Sequence, residues 1–198
     1  DDTTPTAGEE SWDDVTGADA HLGGASGSDS FMYTNTTLMD DLTVKVAYIP
    51  SDGQTTNIES SLDYSASYTG VEGLTIGIAA GEDNGEGTAD ARDMSAFNIT
   101  YAMDAITVGY STHEADSNAA STDTTLTAMG ISYAVSDDLS VSLNSSETEH
   151  DGSKDQEAVG ISASLVVGSM TLSANHNSIE NLGGTEGTDR SGYALGLA

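Results

Sequence analysis

The feature that most constrains this chain is an alternation of apolar and polar residues that recurs along its length. Leu42, Val44, Val46 and Tyr48 alternate with Thr43 and Lys45, and Leu62, Tyr64, Ala66 and Tyr68 alternate with Asp63, Ser65 and Ser67. The same period returns in Leu74-Ile76-Ile78, Phe97-Ile99-Tyr101-Met103, Ile106-Val108-Tyr110, Met129-Ile131-Tyr133-Val135, Leu139-Val141-Leu143, Val159-Ile161-Ala163-Leu165-Val167, Met170-Leu172-Ala174 and Tyr193-Leu195-Leu197. Successive side chains of an extended chain point to opposite faces, so a period of two means strand. The pattern predicts eleven strands, at 31–39, 42–50, 60–69, 74–81, 94–103, 106–113, 126–135, 139–148, 159–167, 170–179 and 191–198. No window shows a helical period.

The connections alternate in length. Tight ones run through Asp40-Asp41, Gly70 to Gly73, Asp104-Ala105, Asp137-Asp138 and Gly168-Ser169, where Asp and Gly tolerate turn geometry. Between them lie long, acidic stretches rich in Gly, Ser and Thr. The strand after each tight turn opens LTV at 42–44, LTI at 74–76, ITV at 106–108, LSV at 139–141 and MTL at 170–172, a spacing of 31 to 33 residues. One hairpin per repeat is the arrangement of an up-and-down sheet.

Charge marks the same boundaries. The chain has 33 Asp plus Glu against 4 Lys plus Arg, a net charge of −29, yet only Lys45 and Asp63 are expected within strand bodies. Residues 1–30 hold eight acids. Such acidity excludes nucleic acid, which is bound through Lys and Arg, and electrostatic attraction to an anionic membrane surface. With no Cys, thiolate metal sites and Cys nucleophiles are excluded. His21, His113, His150 and His176 are scattered, and no HExxH, GxSxG or phosphate-loop motif occurs, so the chain is not expected to be an enzyme.

The two faces of the expected sheet are unusual. The polar face consists of small neutral groups, including Thr43, Ser65, Ser67, Thr75, Gly77, Thr107, Gly109, Ser140, Ser142, Asn144, Ser162, Ser164, Thr171, Ser173 and Asn175. The apolar face carries tyrosines at two levels: Tyr68, Tyr101 and Tyr133 just before tight turns, Tyr48 and Tyr110 about six residues past one. Aromatic levels bordering an apolar band, on strands near ten residues long, suit a transmembrane barrel, whose closure leaves no unpaired edge in lipid. The competing reading is a secreted, calcium-dependent structural or adhesive β-protein.

Three segments carry a resemblance: SDSFMYTNTTLMDDLTVKVAYIPS (28–51), YAVSDDLSVSLNSSETE (133–149) and ISASLVVGSMTLSANHNSIENLGGTEGTDRSGYALGLA (161–198). They resemble Gram-negative outer-membrane general porins of the alphaproteobacterial type. The resemblance implies an all-β, antiparallel up-and-down transmembrane barrel and a homotrimer in the bacterial outer membrane. It implies a water-filled channel for small hydrophilic solutes and ions, with membrane lipid as its surroundings. Barrels of that family have sixteen strands and a terminal aromatic residue. On that resemblance, eleven strands and an ending at Ala198 would correspond to a C-terminal portion, with residues 1–30 expected in the place of the inward-folded constriction loop and 31–198 expected to form barrel strands. Glu9, Glu10, Asp13, Asp14 and Asp19 would then be the acids of the pore throat. Lys45 and Asp63 fall on the polar face, while Arg92, Lys154 and Arg190 are expected in loops, so the channel should prefer cations. No cofactor is implied. Glu82, Asp83 and Glu86 cluster oxygen ligands that could hold Ca2+, as do Asp151, Asp155 and Glu157, although neither set matches an EF-hand loop.

Overall fold

The computed structural model describes residues 30–50, 60–83, 91–117 and 123–198. They form eleven strands: β1 Phe31–Asn35, β2 Leu42–Ile49, β3 Ser61–Val71, β4 Leu74–Asp83, β5 Arg92–Met103, β6 Ile106–Ser117, β7 Thr124–Ala134, β8 Leu139–His150, β9 Gln156–Val167, β10 Met170–Glu180 and β11 Arg190–Leu197. All eleven belong to one sheet in sequence order, each antiparallel to the next. The expected meander is therefore present, strand for strand. The helical content of the described residues is a single 3-10 turn, Leu182–Gly184.

The strand ends differ from the expectation in a consistent direction. β1 stops at Asn35 rather than 39, because the Asn35 side chain accepts hydrogen bonds from the Thr37 amide at 2.8 Å and the Thr37 hydroxyl at 3.1 Å, turning the chain away from the ladder. Most other strands run further than the apolar pattern does at the end away from the tight turns. β5 begins at Arg92, β6 continues to Ser117 and β11 begins at Arg190. Arg92 and Arg190 are thus strand residues, not loop residues. Glu82, Asp93, Glu114, Asp116, Glu147, Glu149, Glu157 and Glu180 also lie in strands, which corrects the expectation that Lys45 and Asp63 are the charges there.

The tight turns use the residues that their geometry demands. Asp41 and Asp104 adopt positive φ (60° and 52°), as do Gly73 and Gly168 (75° and 65°). At the β7–β8 turn Ser136 does the work instead, its hydroxyl accepting from the amides of Asp138 and Leu139 at 3.3 and 3.2 Å. At the opposite end, the β8–β9 and β10–β11 connections are tied together. Lys154 N donates to Gly184 O, and Gly183 N donates to Gln156 Oε1 at 2.9 Å. Leu182 packs against Ile179, Ala128 and Ala158, the small apolar cluster of the described residues.

The sheet is inside out relative to a soluble protein. Ile161 is 58% exposed while its neighbour Ser162 is 4% exposed. Tyr64, Ile78, Val108, Met129, Ile131, Leu143, Val159 and Leu195 are also exposed, whereas Ser111, Ser142, Asn144, Ser146 and Asn177 are buried. Residues directly opposite in adjacent strands share a face. The registers place all eight tyrosines on the exposed apolar face. Moving one exposed Leu or Ile side chain from water into hydrocarbon gains about 1.5–3 kcal/mol. Lipid is the surrounding that stabilises such a surface.

Candidate functional site

The polar face of the sheet is where solute chemistry can occur. Its rows follow from register. Ser142 stands opposite Ser162 and the two hydroxyls hydrogen-bond at 2.6 Å. One row runs Gly109, Gly130, Asn144, Gly160, Asn177, Gly192 across six strands, carboxamides alternating with glycines on its far half. Asn175 Oδ1 accepts from the Ala194 amide at 2.8 Å. The Asn144 carboxamide and the Thr148 hydroxyl are buried and make no hydrogen bond to protein among the described residues. Buried polar groups rarely go unpaired, so these two need water or solute as partners.

Two charges lie in the middle of this wall, and Arg92 of β5 and Arg190 of β11 share its face at the end away from the tight turns. Lys45 of β2 is exposed and stands opposite Ser65, while Asp63 of β3 is half-buried and stands opposite Ala47 on one side and Gly81 on the other. The sheet thus brings Lys45 and Asp63 to one face as diagonal neighbours on adjacent strands. Glu9, Glu10, Asp13, Asp14 and Asp19 lie outside the described residues, as does Glu86. Glu82 and Asp83 end β4, opposite Asp93 and Arg92 respectively. Among the described residues no group of three or more His, Asp or Glu side chains is gathered as a metal site.

A feature that the sequence reading missed is a belt of carboxylates on the apolar side, beyond the apolar band. Glu82, Asp93 and Asp116 form one row across β4 to β6, and Glu147, Glu157 and Glu180 another across β8 to β10. Glu114 and Glu149 flank them on either side of Thr125, and Ser95 donates to Glu114 Oε2 at 3.3 Å. Their signal in the sequence is parity: each continues the odd or even phase of the apolar stripe that precedes or follows it. Like charges directly opposite are destabilising, so the belt belongs where water screens it. On β9 the step from Val167 to Glu157 is ten residues. That is about 33 Å of strand, or about 25 Å along the membrane normal at a tilt near 40°, the height of an apolar band in outer-membrane barrels.

A family model described as Gram-negative porin matches residues 1–158. Among solved structures, outer-membrane expressed OmpT of Vibrio cholerae is similar at 14% identity and a TM-score of 0.61, over 85% of this chain and 63% of that one. A porin refined at 1.8 Å resolution is similar at 15% identity and a TM-score of 0.59, over 83% of this chain and 60% of that one. The chain therefore spans about three fifths of the length of these structures. At such identities the likeness concerns the fold. No curated protein matches the chain.

Proposed function

Because the chain belongs to the Gram-negative porin family, we propose that it forms the larger part of an outer-membrane channel for passive diffusion of small hydrophilic solutes and ions, with a preference for cations. The observation that carries this reading is the inversion of polarity: an exposed apolar face outside, and a wall of hydroxyls and carboxamides within. Such a wall offers hydrogen bonds to water and polar solutes and performs no bond chemistry.

The cation preference rests on the charge inventory. The chain as a whole carries 33 acids and 4 Lys plus Arg. Residues 1–30, with Glu9, Glu10, Asp13, Asp14 and Asp19, are proposed as the acids of the throat, and Asp63 as an acid in the middle of the described wall. A throat lined by those five acids concentrates cations and repels anions. By family resemblance the assembly in the membrane is a homotrimer. Protein purified from the outer membrane in detergent and added to a planar bilayer should give discrete conductance steps, with a reversal potential in a KCl gradient on the potassium side. Absence of steps would sink the channel; a reversal potential on the chloride side would sink the selectivity alone.

A further inference from the structure

Gly77, Gly81 and Gly196 of the polar face stand opposite Asn98, Asp63 and Ser173 respectively. In each pair the polar side chain lies over the glycine. A Cβ placed on Gly77 would sit 2.6 Å from Asn98 Nδ2, and one on Gly196 would collide with the Ser173 hydroxyl. A Cβ on Gly81 would collide with Asp63 Oδ1. None of the three has positive φ, so glycine is not there for its backbone freedom. What it supplies is space, a notch in the wall into which the neighbour's polar head lies down.

Of the three seated groups only Asp63 is charged. Its carboxylate leans from β3 over β4, away from the β2 side on which Lys45 stands, and its Oδ1 is buried against the wall. We infer that Gly81 is a positioning residue that seats the Asp63 carboxylate in the wall and thereby limits how strongly the channel prefers cations. This rests on the channel reading above. A group held in the wall acts on ions in the lumen from its side, whereas a group lifted off it stands nearer their path. The ligand concerned is a small hydrated monovalent cation in transit.

The test is a selectivity cycle on the protein purified from the outer membrane, reading reversal potentials in a KCl gradient for wild type, Gly81→Ala, Asp63→Asn and the double variant. Gly81→Ala should raise the cation-to-anion permeability ratio about twofold, on the order expected for moving one charge towards the ion path. In the Asp63→Asn background the same substitution should leave the ratio unchanged. An unchanged or lowered ratio in Gly81→Ala, or an equal rise without the Asp63 charge, overturns the inference while leaving the channel intact. A wild type without conductance steps overturns the channel reading itself and the inference with it. Should Gly81→Ala fail to insert, Asp63→Ala added to it should restore heat-modifiable protein on an unheated gel, because the collision is with that side chain. Failure of the double variant to insert overturns the seat.

Discussion

At the scale of single residues, consecutive positions on one strand face opposite solvents, and this reverses the usual cost of substitution. Ile131 and Ser132 of β7 are neighbours in sequence, the first exposed on the apolar face and the second on the polar face. An arginine at Ile131 would stand in hydrocarbon, at a cost of about 2–4 kcal/mol near the midplane. An arginine at Ser132 would stand in water. Ile131→Arg should therefore lower the urea midpoint of the protein folded into lipid vesicles and reduce the folded band on unheated gels. Ser132→Arg should insert normally and instead shift the reversal potential towards chloride. Equal destabilisation by both would contradict the assignment of the faces. The parity that separates these two residues was legible in the sequence, as was the placing of Lys45 and Asp63 on the polar face. The Gly81 seat was not. The β3–β4 register shifts by one between Tyr68 and Val71, so that Val71 pairs with Leu74 but Tyr68 pairs with Ile76. Extended from the turn without that shift, the register would set Asp63 opposite Glu82, and only the irregularity brings it to Gly81.

At the scale of the strand, the sequence revealed where each element crosses lipid and missed where it ends. Alternation is visible only while one phase is apolar. Once β4, β5, β6, β8, β9 and β10 leave the apolar band, the outward phase becomes Glu or Asp and the pattern fades, although the hydrogen-bonded ladder continues. The ladder continues because its amides and carbonyls still need partners, whatever the side chains face. The outcome is the carboxylate belt, with Glu157 between Glu147 and Glu180 on its two neighbouring strands. Removing the central charge relieves two repulsions at once. Glu157→Gln should stabilise the folded protein by a few tenths of a kcal/mol, about the size of a cross-strand charge pair. The gain should be largest at low ionic strength and shrink at high salt, where the Debye length falls to about 3 Å at 1 M. Thermal melts of detergent-solubilised protein at two salt concentrations measure it, and a gain independent of salt would assign the effect to packing instead.

At the scale of the whole molecule, two asymmetries fix how the sheet sits. β1 and β11 each pair on one side only within the described sheet, and lipid does not accommodate an unpaired ladder edge. In the membrane both edges therefore need strand partners, consistent with a chain that spans about three fifths of similar barrels. The second asymmetry is between the ends of the strands. One end holds tight turns such as Ser136-Asp137-Asp138, next to the apolar band; the other holds the belt and the connections at 151–155 and 181–189 that Lys154 and Gly184 tie together. Outer-membrane barrels place short turns on the periplasmic side and long loops outside. Because the chain has no Cys, a single introduced thiol reports its own side. Asp151 lies in a long connection and Asp137 in a tight turn, and both are exposed. Asp151→Cys should react with a membrane-impermeant maleimide on intact cells. Asp137→Cys should react only after the outer membrane is permeabilised. Both are surface changes that remove one carboxylate and touch no core contact, so neither is expected to disturb insertion. The reverse labelling pattern would turn the barrel over and move the carboxylate belt from the outer leaflet boundary to the inner one.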